Sequence, residues 1–256
     1  MFPDGRGLTG DLMQRTAREL NFSETVFFLP AERGGDVRLR IFTPSSELPF
    51  AGHPVLGSAF VLGEMLGAGR VRLETGAGLV PVELDRDEDT ITFGRMEQPV
   101  PVPEPYERAP DLLRALGVQR SGLPVEAYHN GPRHVYVELA SEAGVAGLKP
   151  DFRALGDLPI AVSCFAGGGT RWKTRMFAPF HGVAEDPATG SAAGPLAVHL
   201  ARHGRIGFGE EIEIRQGEEI GRPSVLLVRA EAAGGQVTAV HVGGSAVILA
   251  RGELLA

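Results

Sequence analysis

The sequence contains little that would support redox, membrane or nucleic-acid chemistry. A single cysteine, Cys164, among 256 residues excludes an intrachain disulfide, a thiolate metal cluster and any mechanism that needs two thiols in one chain. No uncharged apolar run approaches the ~20 residues of a membrane-spanning helix. The formal net charge of −7 leaves no excess of basic residues for binding phosphates. We therefore expect neither a membrane nor a nucleic acid as partner.

The composition is that of an ordinary globular protein, with 43% apolar and 22% charged residues. This length can bury a sizeable core in one large domain or two smaller ones. The opening residues 1–7 have neither the apolar stretch of an export signal nor the Arg- and Ser-rich pattern of an organelle signal, so we expect a cytoplasmic location.

Two distant stretches, residues 47–62 and 185–200, share one pattern in which Glu, Pro, Gly, Ala and Leu recur at the same offsets. Each runs from a polar turn through a glycine into a small, apolar, helix-like segment. A helix start exposes backbone N–H groups, and two such starts facing each other would hold one anion between them. The repeat therefore predicts two similar halves with a negatively charged small molecule at their junction. The alternative is a chance match of a few common residues.

Hydrophobic periodicity predicts a strand-rich protein with three main helices. Helices are predicted at 8–20, 54–66 and 192–202, a shorter one at 111–116, and strands at 25–29, 37–43, 71–75, 79–84, 90–95, 125–128, 134–139, 160–165 and 175–179. Five prolines within 98–110 indicate a stiff connector. We place the domain boundary there, with one half at 1–103, completed by 245–256, and the other at 104–244. Each half reads as a curved sheet around one apolar helix.

Three polar residues stand at the two predicted helix starts. Asp186 precedes Pro187 in a turn, where an Asp is often only a capping residue, yet here its carboxyl points to the proposed anion site. His53 and Ser191 follow the repeated glycines at equivalent offsets. At a helix start we expect His53 to be a hydrogen-bond donor rather than a cation. A metal at His53 is the weaker interpretation, because no His or carboxylate stands at i+3 or i+4.

Other conspicuous residues carry weaker signals. The run Gly167–Gly169 lacks the context of a phosphate loop or dinucleotide site and is predicted to be a loop. The stretch 129–134 contains an Asn-Gly pair between two strands, so a structural hairpin is the better interpretation than chemistry. Glu24, between the first helix and first strand, looks from its local context like an ordinary solvated acid.

The chain as a whole resembles the PhzF family of cofactor-free isomerases. The resemblance covers about residue 8 to the end and rests on the motifs Asn21-Phe-Ser-Glu24-Thr, Arg40-Ile-Phe-Thr-Pro44, Glu47-Leu-Pro-Phe-Ala-Gly-His-Pro54, Tyr128-His-Asn-Gly-Pro-Arg-His-Val135, Arg175-Met-Phe177, Glu185-Asp-Pro-Ala-Thr-Gly-Ser-Ala-Ala-Gly194 and Gln216-Gly-Glu-Glu-Ile-Gly-Arg-Pro-Ser224.

This resemblance implies an α+β, diaminopimelate-epimerase-like fold of two similar half-barrels, each around a central helix, with the active site between them. It implies isomerisation of trans-2,3-dihydro-3-hydroxyanthranilate, a small carboxylate, to an aminooxocyclohexene carboxylate without cofactor or metal, in a homodimer. It assigns the principal proton shuttle to Glu24, assisted by Asp186, His53 and Ser191. Gly52 and Gly190, with His53 and Ser191, would bind the substrate.

The chain departs from this family in one respect, because its relatives normally begin with a further strand of the first half-barrel. We therefore expect an open sheet edge in the first half. Two other functions stay open: a cofactor-free epimerase or isomerase of another small carboxylate, and a non-catalytic anion-binding homologue. Epimerases of the fold place a cysteine at each helix start, where this chain has His53 and Ser191, so a two-thiol racemase is disfavoured.

Overall fold

A computed structural model describes residues 1–254 and contains a single large sheet with helices packed against it. The helices are α1 (Gly10–Leu20), α2 (Gly52–Leu66), α3 (Ala109–Leu116), α4 (Glu142–Ala146), α5 (Phe152–Gly156) and α6 (Gly190–Arg202). The strands are β1 (Thr25–Leu29), β2 (Val37–Phe42), β3 (Glu47–Leu48), β4 (Arg70–Thr75), β5 (Gly78–Asp87), β6 (Thr90–Gln98), β7 (Val102–Pro105), β8 (Glu126–His129), β9 (Arg133–Glu138), β10 (Ala161–Gly168), β11 (Arg171–Ala178), β12 (Val183–Asp186), β13 (Glu211–Gln216), β14 (Ser224–Ala233) and β15 (Gln236–Gly244).

The strand order joins two halves in one sheet: β1-β2-β4-β5-β6-β15-β14-β13-β11-β10-β9-β8-β7, with β3 beside β2 and β12 beside β11. The first half packs on α2, which is apolar on most sides and buries Val55, Ala59 and Leu62. The second half packs on α6, which is buried continuously from Gly190 to Leu200. The two expected apolar central helices are present, but the two curved sheets that were expected form one continuous sheet.

The two halves share their core. One hydrophobic cluster contains Val55 of α2, Leu196 of α6 and Val240 of β15. Strand β15 pairs with β6 on one side and β14 on the other, so it links the halves. The division at residues 103 and 104 stays a prediction. Of the segment 245–256 assigned to the first half, the Ser245 hydroxyl donates to the Thr92 carbonyl at 2.8 Å, and residues 255–256 lie outside the described residues.

Several predicted elements need correction. The proline-rich connector contains β7, an edge strand paired with β8, because an edge strand tolerates prolines that lack a ladder donor. The run Gly167–Gly169 is not simply a loop, since Gly167 and Gly168 are the last residues of β10. The expected open edge at β1 is partly covered, because the Phe2 N–H donates to the Val26 carbonyl at 2.7 Å and the Phe2 carbonyl accepts from Phe28 at 2.9 Å.

Candidate functional site

The two repeated glycines bring the starts of α2 and α6 into direct contact. A Cβ atom placed on Gly52 would lie 2.4 Å from the Ser191 backbone nitrogen, and one on Gly190 would lie 3.2 Å from the Gly52 Cα. Any side chain at Gly52 would therefore push the helices apart. The predicted juxtaposition of two helix starts is confirmed.

Each helix start presents backbone donors at this junction. In α2 the first helical bond is from Val55 to the Ala51 carbonyl, and Pro54 has no N–H. In α6, Ala192 and Ala193 both donate to the Thr189 carbonyl. Helix geometry thus leaves the N–H groups of Gly52, His53, Gly190 and Ser191 without intrahelical acceptors. Together with the aligned peptide dipoles, they favour an anion between the helices.

The repeat extends beyond the glycines to an ion pair in each half. Arg40 on β2 binds Glu47 on β3 through two hydrogen bonds of 2.7 and 2.6 Å. Arg175 on β11 binds Glu185 on β12 in the same bidentate way, at 2.9 and 2.7 Å. In both halves an arginine thus fixes the short strand that leads into the helix start, which argues against a chance match of the two sequences.

A cavity of about 300 Å³ lies beside the junction. The first half contributes Glu24 and His53 to its wall, and the second contributes Asp186, Ser191 and His134. Apolar side chains complete the lining, namely Leu48, Pro49, Met176, Ala178 and Val183. This volume and mixed lining suit a single-ring molecule with a few polar substituents.

Glu24 and His53 form an ion pair at the cavity wall. The Nε2 atom of His53 lies 2.8 Å from Oε2 of Glu24, whose side chain is 13% exposed. Burial lowers the pKa of His53, but the Glu24 carboxylate, the nearby Asp186 and the Ala188 backbone outweigh it and raise that pKa to about 9. The raised pKa favours an imidazolium at His53, in contrast to the expectation from the sequence, and the Glu24 carboxylate is mostly buried rather than solvated. Local sequence could not reveal this contact, which joins the residue before β1 to the start of α2.

Asp186 lines the same cavity and is buried, with 4% of its surface exposed. Burial raises the pKa of its carboxyl, while His53 and the Thr189 hydroxyl, which donates to Oδ2 at 2.5 Å, act in the opposite direction. Gln216 fixes the turn by donating to the Asp186 carbonyl at 2.7 Å and to the Thr189 hydroxyl at 2.8 Å. Asp186 therefore lines the cavity from a firmly held turn, with a carboxyl whose pKa is raised, and its role in the site stays a prediction.

The hairpin 129–134 supports the start of α6, a role that the sequence analysis missed. Pro195 has no N–H for the Ser191 carbonyl four residues earlier, and the Asn130 side chain supplies the missing donor at 2.9 Å. His134 lies with Nε2 3.1 Å from the Ser191 hydroxyl. The proline inside α6 was the signal available in the sequence, because it leaves the carbonyl four residues earlier without a helical donor, and that carbonyl needs a partner elsewhere.

A second cluster, formed by Glu126, His199 and His203, has the residue types of a metal site. Its carboxylate oxygen Oε2 also accepts from Arg202 at 2.8 Å and from the Tyr128 hydroxyl at 2.9 Å. The guanidinium already neutralises this oxygen, so the cluster is explained as a hydrogen-bond network between β8 and α6.

Within residues 1–254, none of the helices has both the length and the apolar character needed to cross a membrane.

Comparison with known proteins gives a consistent result. Residues 1–252 match the model of the phenazine biosynthesis-like protein family, PhzC-PhzF. A trans-2,3-dihydro-3-hydroxyanthranilate isomerase from Pseudomonas aeruginosa is 53% identical over 254 residues, which is 99% of this chain and 91% of the relative. The enzyme of the same name from Pseudomonas chlororaphis is 51% identical, over 100% of this chain and 92% of its own.

A solved structure supports the fold. The structure of a predicted epimerase from Pseudomonas aeruginosa is 30% identical in sequence and superposes with a TM-score of 0.83, covering 100% of this chain and 92% of that one. The expected diaminopimelate-epimerase-like fold is confirmed.

Proposed function

Since the chain belongs to the phenazine biosynthesis-like family, we propose that it isomerises trans-2,3-dihydro-3-hydroxyanthranilate by proton transfer, with Glu24 as the principal base. The observation that carries this proposal is the position of Glu24 on the wall of a ring-sized cavity that opens onto two abutting helix starts. A carboxylate-bearing ring held by the helix starts would lie against the Glu24 carboxylate.

The substrate carboxylate would bind the N–H groups of Gly52, His53, Gly190 and Ser191. These donors also stabilise negative charge that spreads into the carboxylate when a ring proton leaves. Because the donors are fixed by the two helices, they need no rearrangement during the reaction. The same arrangement explains the requirement for glycine at both helix starts.

The chemistry needs one proton to leave a ring carbon and one to enter another. The carbon that bears the hydroxyl must lose its hydrogen to become a carbonyl carbon. Glu24 takes this proton and returns it to a carbon further along the conjugated system, which gives an enol. The enol then loses its O–H proton while its other carbon gains one, which gives the ketone with the overall composition unchanged. His53 stabilises the Glu24 carboxylate before the transfer, and Asp186, with its raised pKa, exchanges a hydrogen bond with a ring substituent.

We extend the proposal to the setting of the enzyme. The resemblance supports a cofactor-independent homodimer in the cytoplasm. The buried, unpaired Cys164 fits a reducing compartment. Light scattering on the purified protein tests the dimer, since a monomeric mass at micromolar concentration would contradict it.

The test of the function is turnover of trans-2,3-dihydro-3-hydroxyanthranilate in heavy water, followed by loss of the diene absorbance and by deuterium entry in the NMR spectrum. We expect Glu24→Gln to lower the rate at least about 100-fold, because general acid–base catalysis contributes at least that much. The variant should still bind 3-hydroxyanthranilate, because the helix N–H donors remain.

The matched control is Glu138→Gln, which removes a carboxylate of similar exposure, 10% against 13% for Glu24, outside the cavity. Full activity of Glu24→Gln would contradict the assignment. Racemisation of a free amino acid without reaction of the dihydroanthranilate would select the epimerase alternative, and binding without any solvent exchange would select the anion-binding alternative.

A further inference from the structure

His134 is the one buried titratable side chain of the cavity that the proposed reaction does not use. It lies on β9 with 2% of its surface exposed and lines the cavity next to Ser191. Its Nε2 atom is 3.1 Å from the Ser191 hydroxyl oxygen. Its other ring nitrogen, Nδ1, is buried and has no hydrogen-bond partner among residues 1–254.

The charge and tautomer of His134 follow from these contacts. Burial, assisted by His181 and His129, lowers its pKa to about 3, so the ring is neutral at physiological pH. A neutral imidazole carries one N–H. A proton on Nδ1 would be a buried donor without an acceptor, whereas a proton on Nε2 is received by the Ser191 oxygen. The ring proton therefore lies on Nε2.

This tautomer dictates the direction of the hydroxyl. When the Ser191 oxygen accepts from His134, its own proton is free to donate into the cavity, and Ser191 lies at the helix start where the substrate carboxylate is expected. A carboxylate can only accept hydrogen bonds. We propose that His134 is a positioning residue that donates to Ser191 and so turns the Ser191 hydroxyl toward the substrate carboxylate.

Asn130 supports the same geometry by binding the backbone of Ser191. Its side chain donates to the Ser191 carbonyl at 2.9 Å, so the β8–β9 hairpin holds Ser191 at two points. The hairpin thereby acts on substrate binding through Ser191 without touching the reacting carbons. This inference rests on the proposed function for the identity of the substrate, but the serine–histidine geometry does not depend on it.

The experiment measures the affinity for 3-hydroxyanthranilate by titration calorimetry in the wild type, His134→Asn, Ser191→Ala and the double variant. A hydrogen bond to a charged group corresponds to a roughly 10- to 100-fold change in affinity. We expect each single variant to bind about 10-fold more weakly. The double variant should bind no more weakly than Ser191→Ala, because His134 acts only through that hydroxyl.

Two further variants separate positioning from a general structural effect. His134→Gln places an amide N–H near the original Nε2 and should retain most of the affinity, whereas the shorter Asn cannot reach Ser191. His129→Asn changes a half-exposed histidine of the same hairpin that contacts Glu104 instead, and it should bind like the wild type. Thermal unfolding midpoints of all variants identify any that fail to fold, in which case His134→Gln and Ser191→Ala carry the comparison.

Wild-type affinity in His134→Asn, or losses that simply multiply in the double variant, would overturn the inference. Turnover of the dihydroanthranilate by the wild type is measured in parallel. A wild type that binds without turnover would contradict the proposed function and leave the comparison of affinities valid. A wild type that does not bind 3-hydroxyanthranilate would overturn the carboxylate site and this inference together.

Discussion

His53 owes its charge to a neighbour that is distant in sequence. Its place at a helix start favours the neutral ring, yet the Glu24 carboxylate at 2.8 Å raises the pKa to about 9. Because this folded-state pKa exceeds the ordinary value of 6.5, the pair stabilises the fold in full below about pH 6.5. That stabilisation is lost as the pH rises through about 9.

We therefore predict that an NMR titration of the His53 ring protons gives a pKa near 9 in the wild type. In Glu24→Gln the pKa should fall well below that value, because the carboxylate that does most to raise it is gone. His199, whose pKa burial lowers to about 4, serves as an internal control that should titrate alike in both proteins. Identical His53 titrations in both proteins would show that the ion pair does not determine the charge.

Gly52 allows the closest backbone approach at the site, so a single methyl group tests the contact between the helices. We expect Gly52→Ala to destabilise the protein by about 1–3 kcal/mol and to weaken carboxylate binding, since the new Cβ would meet the backbone of Ser191. Gly57→Ala is the control in the same helix, where the added Cβ would meet only the mobile end of Met1.

Chemical denaturation measures the free energy of unfolding of both glycine variants. The control should stay within about 1 kcal/mol of the wild type, because alanine is the better helix former. Equal stability of Gly52→Ala and the wild type would mean that the helices can move apart without any loss of stability, which would contradict the prediction.

Sequence patterns identified the elements better than the contacts between them. The apolar character of α2 and α6 predicted both central helices, although each begins two residues earlier than expected, at Gly52 and Gly190. The strands β3 and β12 are too short to show an alternation of apolar and polar residues, and the prolines of β7 argued against a strand there. Glu24 was singled out only by resemblance, and His134 was missed, because local hairpin chemistry already explained its stretch of sequence.

The proline inside α6 gives a prediction for the element as a whole. Asn130 replaces the donor that Pro195 lacks, so Asn130→Ala leaves the buried Ser191 carbonyl unpaired and should cost about 1–3 kcal/mol. In a Pro195→Ala background the helix N–H is restored, and the same substitution should cost clearly less. Denaturant unfolding of the four proteins measures this coupling, and equal costs in both backgrounds would contradict it.

At the scale of the whole molecule, the site exists only because the halves are joined. Glu24 and His53 come from one half and Asp186 and Ser191 from the other, so the cavity needs both. The connection consists of β15, which is paired on both sides, and of a core cluster that both halves share. Independent motion or unfolding of one half would break this shared core and expose the apolar faces of α2 and α6.

This sharing predicts cooperative unfolding, although the chain contains two similar halves. The single tryptophan, Trp172, lies buried on β11 and reports on its surroundings in the second half. Far-ultraviolet circular dichroism reports on both halves. We expect the two signals to have the same urea midpoint and a single transition, because loss of either half exposes the core of the other. A biphasic circular dichroism curve with one phase matching the Trp172 fluorescence would instead show that the halves are separate folding units, and the boundary near residue 103 would then be a true domain boundary.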